Sequence, residues 1–116
     1  MIARAVIARV LLLGAAAVVA CTQFRRGRPA PQAHRVLVTQ FRFSPGILTL
    51  MTGDRVTWIN QDRFVHTVFF EAGRWASGDL QFGQSFTFDV SEAGTYQYYC
   101  SAHPSMRGTL VVTARP

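Results

Sequence analysis

The 116 residues are 49% hydrophobic and 16% charged, with a net charge of +6, a length that holds one modest domain and not two. The charge is concentrated ahead of the domain rather than on it. Arg4 and Arg9 lie at the start, Arg25, Arg26 and Arg28 follow, and residues 34–116 hold seven arginines against six acids, close to +1. A nucleic-acid face needs cations gathered on the domain itself, so that class is set aside.

In chain order, the first element is a run from Val10 to Ala20, preceded by Arg4 and Arg9. It is too short to cross a bilayer comfortably, which takes about twenty residues, and it has the form of an export signal. It ends Val18-Val19-Ala20-Cys21, which resembles the lipobox of bacterial lipoproteins, where small residues precede a cysteine that is lipidated and becomes the new N-terminus. The expectation is a lipoprotein signal over 1–20, lipid on Cys21, and a protein held at the extracytoplasmic or periplasmic face of a membrane. An ordinary signal cut near Ala20, leaving a soluble periplasmic domain, and an uncut anchor are the alternatives. Residues 21–33 contain Pro29, Pro31 and Gly27 with three arginines and no apolar period, the composition of a flexible, partly extended tether. Beside a lipid, its cations would add attraction to anionic headgroups, about 1 kcal/mol each; a solvated linker is the plainer reading. The domain is expected over 34–116.

From His34 onward the pattern is one of short strands. Val36 and Val38, then Phe41 and Phe43, alternate with polar residues, with a change of phase near Gln40. Ile47 to Met51 follow Pro45-Gly46, and Gly53-Asp54 marks a turn before Val56, Trp58 and Asn60 on one strand face. His66 to Glu71 reads as a further strand. Phe86 and Phe88 alternate with Thr87, Tyr96, Tyr98 and Cys100 with Gln97 and Tyr99, and 108–113 closes the domain. No window carries a helical stripe, and short strands with turns every eight to twelve residues predict an all-β sandwich or barrel.

The chemistry concentrates in Cys100-Ser101-Ala102-His103-Pro104-Ser105-Met106. A thiolate, an imidazole and a thioether fall three residues apart between two strands, and His66 offers a second imidazole upstream. Each residue alone is more readily structural, since free cysteine and methionine commonly fill cores. Together, two His, one Cys and a weak axial Met form the ligand set of a blue-copper site. Magnesium or calcium would want oxygens, and zinc gains little from a thioether. A Cys21–Cys100 disulfide is open to an oxidising compartment, but it would compete with both proposed uses of these cysteines.

The segment Gly53-Asp54-Arg55-Val56-Thr57-Trp58-Ile59-Asn60 followed by His66, together with Glu92-Ala93-Gly94-Thr95-Tyr96 leading to Cys100, His103, Met106 and Gly108, resembles the plastocyanin and amicyanin family of cupredoxins over about residues 36–113. The ligand loop has the length found in amicyanin-like members. The resemblance implies a Greek-key β-sandwich with copper at one end and electron transfer to other redox proteins. Two positions depart from the family pattern. Val65 stands where amicyanin has proline, and Thr67 where many members carry an asparagine that braces the ligand loops.

On this reading Cys100 supplies the short Cu–S bond, His66 is an inner imidazole held by its strand, and His103 is the outer imidazole through which the electron leaves. Met106 is the weak axial ligand, and Phe64, Val65, Ala102 and Pro104 form an apolar patch around His103. The expected function is that of an electron carrier, a monomer and not an enzyme, cycling Cu(I)/Cu(II) with redox protein partners. A copper-delivery or copper-tolerance protein using the same ligands is the alternative. It is disfavoured because the only methionines are Met1, Met51 and Met106, with none in an exposed cluster. A second copper site would need histidines beyond His34, His66 and His103, and His34 is expected to be merely exposed at the tether boundary.

Overall fold

The computed structural model describes residues 27–116; the expected export signal, Cys21 and the first part of the tether lie outside the described residues. Eight strands follow one another with no helix among the described residues: β1 (Ala33–Thr39), β2 (Arg42–Ser44), β3 (Ile47–Met51), β4 (Arg55–Asn60), β5 (Phe69–Phe70), β6 (Ser85–Asp89), β7 (Gly94–Tyr99) and β8 (Arg107–Thr113). They form two four-stranded sheets, ordered β2-β1-β4-β6 and β3-β8-β7-β5. Each sheet is mixed: β1 runs parallel to β4 and β3 parallel to β8, while the other pairs are antiparallel. The expected all-β sandwich is what the chain forms.

Its core follows from the period of two. Val56, Trp58 and Asn60 of β4 are buried while their neighbours are not, and Gly108, Leu110 and Val112 do the same on β8. Val36 and Val38 from one sheet and Leu50, Tyr98 and Leu110 from the other complete an interior in which Trp58 meets Phe70 and Tyr98 edge-on, at 5.9 and 5.3 Å between centroids. Burial of this order contributes roughly 1.5–3 kcal/mol for each large apolar side chain. Burial also pushes the Tyr98 hydroxyl up to about 12.

Three expectations need correction. The change of phase near Gln40 is a two-residue hairpin: Gln40 and Phe41 both take left-handed angles, φ 51° and 56°, the geometry that usually selects Asn-Gly. The strand expected over 66–71 is reduced to Phe69–Phe70; His66 makes only an isolated bridge to Leu80. His34 is not a free surface residue. Its Nε2 lies 3.0 Å from Asp54 Oδ2, and its side chain is 18% exposed.

Asp54 organises the end of the sandwich where β1 and β4 begin. Its carboxylate is almost fully buried and accepts the backbone N–H groups of Gln32 (2.9 Å) and Met51 (3.0 Å), the His34 ring, and the Arg115 guanidinium. Burial alone would raise its pKa; the two backbone donors, His34 and Arg115 outweigh that and hold it far below the usual carboxylate range. Arg115 also donates to the carbonyls of Pro29, Ala30 and Thr52. Residues 29–32, ahead of His34, are thus fastened to the domain.

Candidate metal centre

The opposite end of the sandwich carries the site. β7 delivers Cys100 directly after Tyr99, on the same inward face as Tyr98, and both Tyr98 and Cys100 are fully buried. The loop beyond is closed by its own backbone: His103 N–H donates to Cys100 O (3.2 Å), Met106 N–H to His103 O (2.8 Å), and Cys100 N–H to Met106 O (3.1 Å). These bonds turn the chain tightly enough to bring His103 back over Cys100 and to leave Met106 buried at the mouth of β8.

His66 reaches the same point from the other side. Its backbone is pinned in both directions to Leu80, N–H to O at 3.1 Å and O to N–H at 2.8 Å, so it is a bridge and not a strand that fixes it. Its ring is fully buried. One ligand atom from each of His66, Cys100 and His103 lies within 4.8 Å of the others. Cys100 Sγ stands 3.7 Å from His66 Nδ1 and 3.8 Å from His103 Nδ1.

Asp62 decides how His66 presents itself. Its Oδ2 lies 2.9 Å from His66 Nε2. With the ring N–H donated there, the Nδ1 lone pair is left facing the sulfur, and both tautomer and ring plane are fixed. The same carboxylate accepts Gln40 N–H (2.8 Å) and Phe41 N–H (3.0 Å). Burial would raise the pKa of Asp62, but the Phe41 and Gln40 donors and then His66 lower it. One carboxylate therefore holds a ligand and also steadies the left-handed turn, whose cost is of order 1–3 kcal/mol per residue.

That turn places Phe41 edge-on to both imidazoles, with centroids 5.3 Å from His66 and 5.1 Å from His103, and against Phe64 at 5.1 Å. Phe64 is exposed as expected, and Ala102 and Pro104 with it; Val65 is half-buried. Neither Phe41 nor Asp62 stands out in the sequence. The nearest signal was the break in alternation at Gln40.

Thr67 links the two ligand loops. Its Oγ1 accepts Ser101 N–H and contacts Ser101 Oγ, each at 2.8 Å, while its own N–H donates to Cys100 Sγ at 3.4 Å. A sulfur that accepts an N–H and lies between two imidazole nitrogens suits a soft cation, and the buried thioether of Met106 adds a further soft donor at the same end.

The Cupredoxin-like domain family matches residues 9–112. Amicyanin from Paracoccus denitrificans is 35% identical over 94 residues, covering 77% of this chain and 72% of its own. Plastocyanin from Scenedesmus fuscus is 31% identical over 83 residues, covering 60% of this chain and 85% of its own. A Cu(I) structure of an amicyanin mutant superposes with a TM-score of 0.64 at 34% identity, over 70% of this chain and 82% of that one. With fold, matched length and identity in agreement, the chain belongs to the cupredoxin family, among proteins of the plastocyanin and amicyanin type.

Proposed function

We propose that this protein is an exported electron carrier built on a mononuclear type 1 copper site, with His66, Cys100 and His103 as the strong ligands and Met106 as the weak axial one. The observation that carries the reading is the convergence of two imidazole nitrogens on a buried thiol sulfur, with the far nitrogen of His66 held by Asp62. Copper bound there supplies a one-electron Cu(I)/Cu(II) couple. The protein's part is to hold the donors in one arrangement for both oxidation states, so that little reorganises when the electron moves. The bridge to Leu80, the closed 100–106 loop and the Thr67–Ser101 link serve that purpose. Half-buried His103 is the ligand nearest solvent and the route by which the electron leaves to a redox protein.

The decisive experiment is a visible spectrum of the copper-loaded, oxidised protein. A strong blue thiolate-to-Cu(II) band is expected, and Cys100→Ser abolishes it while leaving the fold in place. A colourless Cu(II) complex of the unaltered protein would falsify the assignment.

The residues ahead of the described structure fit attachment to the outer face of a cytoplasmic membrane, or to another extracytoplasmic surface, through lipid on Cys21, with the tether running from there to the point near Pro29 where the chain is fastened to the copper domain. Stable attachment takes two acyl chains or a chain plus cations, and Arg25, Arg26 and Arg28 sit beside the cysteine. Cys21→Ala is expected to release the protein from membranes or block its processing; a mature protein whose mass shows an unmodified Cys21 would end this part of the reading.

A further inference from the structure

The packing of Phe41 against Phe64, tilted at 44°, brings together two segments that are distant in sequence, the left-handed turn and the 61–65 loop, and Asp62 binds them by accepting the turn's N–H groups. Each ring has an arginine as its immediate neighbour, Arg42 after Phe41 and Arg63 before Phe64, and both arginines are exposed. Neither meets a carboxylate among the described residues, whose ion pairs are formed by His34, Arg55, His66, Arg107 and Arg115. Phe41, 41% exposed, is open to solvent beside His103, and Phe64, 59% exposed, is open beside Phe41.

The acids near this end do little to cancel the pair. Asp62 is turned onto two backbone donors and His66. Glu71 is matched by Arg107. Asp79, exposed next to Leu80, is the remaining carboxylate. The face around His103 therefore has an exposed aromatic neighbour in Phe41, and the exposed Arg42 and Arg63 adjoin Phe41 and Phe64 in the chain.

We infer that this face docks redox proteins whose contact surface is apolar at its centre and acidic at its rim, with Arg42 and Arg63 receiving the acidic groups. The inference rests on the electron-carrier reading and adds to it the chemistry of the partner. Rim charges govern the rate of encounter and its salt dependence more than the strength of the final contact. Arg42 and Arg63 therefore act on how fast an electron is exchanged, not on whether copper binds.

The test uses the full chain, copper-loaded and reduced, in a nonionic detergent, with two small oxidants of opposite charge. Hexacyanoferrate(III) takes one electron, leaving Cu(II) and hexacyanoferrate(II); tris(phenanthroline)cobalt(III) takes one electron likewise. At about 10 mM ionic strength, where fields extend ~30 Å, Arg42→Gln with Arg63→Gln is expected to slow the anionic oxidant about five- to tenfold. The same change should slightly speed the cationic oxidant and leave the blue band and reduction potential unchanged. The control, Arg28→Gln with Arg35→Gln, removes the same charge away from this face and is expected to change the anionic rate less than twofold.

Equal slowing by both double variants would show that only net charge matters and would overturn the proposal, as would a rate unaffected by either. In the Cys21→Ala chain, adsorption to phosphatidylglycerol vesicles that is lost in Arg42→Gln/Arg63→Gln, with both rates unchanged, would make the face a membrane contact and overturn it too. A protein that never turns blue overturns the electron-carrier reading itself, a result recognisable before any rate is measured.

Discussion

The two ends of the sandwich use buried polar groups to opposite purposes. At the far end, Asp54 gathers donors until every demand is met: two backbone N–H groups, an imidazole and a guanidinium surround one carboxylate. At the metal end, Asp62 takes up one nitrogen of His66 and leaves the other facing Cys100. The first arrangement closes chemistry off and fastens the chain; the second keeps donor atoms open in a fixed geometry. A buried ionisable group is evidence of a site only when something in its surroundings is left unspent.

The contrast is broken most severely by Asp54→Ala. Removing one partner from a buried charged network costs about 3–5 kcal/mol, so the denaturation midpoint should fall sharply while the copper spectrum of the folded protein stays the same. The pH dependence has a definite sign. The folded-state pKa of Asp54 is depressed, so its contribution is fully present above the ordinary carboxylate pKa of about 3.9 and fades as the pH falls below it. Asp54→Ala should flatten the acid limb of the stability curve; an unchanged limb would place acid sensitivity elsewhere.

Thr67→Val sharpens the comparison from the metal end. It keeps the shape of the side chain and deletes the hydroxyl, leaving Ser101 N–H without its acceptor. A cost of about 1–2 kcal/mol is expected. Unlike the Asp54 variant, it should also shift the reduction potential and the blue band, and Thr67→Ser should restore both. A Thr67→Val protein that loses stability with no spectral or redox change would reduce the link to a packing role.

The smallest effect is expected for Arg55→Gln. Its bond to Asp89 is short, 2.6 Å, but both side chains are more than half exposed, and such pairs contribute about 0–1 kcal/mol. Thermal unfolding should move by no more than a few degrees, less at high salt, with no effect on copper at the other end.

Much of this was legible in the sequence because it depends on local order. Alternation along β4 and β8 marks the core, and Cys100, His103 and Met106 are audible as a motif because one loop holds all three. What escaped depends on partners far along the chain. His34 looks exposed until Asp54, twenty residues on, folds against it. The Phe69–Phe70 strand looks longer because His66 to Val68 have strand-like composition, yet His66 pairs only with Leu80. Phe41 reads as an ordinary strand residue; nothing in a Gln-Phe pair announces a left-handed turn, since that turn is held by Asp62 from another loop. Thr67 was noticed only because it departs from the family's asparagine, and its use of Ser101 as a second hydroxyl was not foreseen.

The stitching of Pro29, Ala30 and Gln32 to Arg115 and Asp54 also has a consequence for posture. The polypeptide enters the folded body at the foot of β1 and β4, while the ligands crown the opposite ends of those strands. A six-residue strand such as β4 advances about 20 Å, so a tether attached to a membrane would join the domain at the end away from the copper, about that far along the sandwich from the ligands. The ligand face would then be free of the attachment point, and lengthening the tether would change how far the protein roams without bringing the chain's entry point any nearer to the ligands.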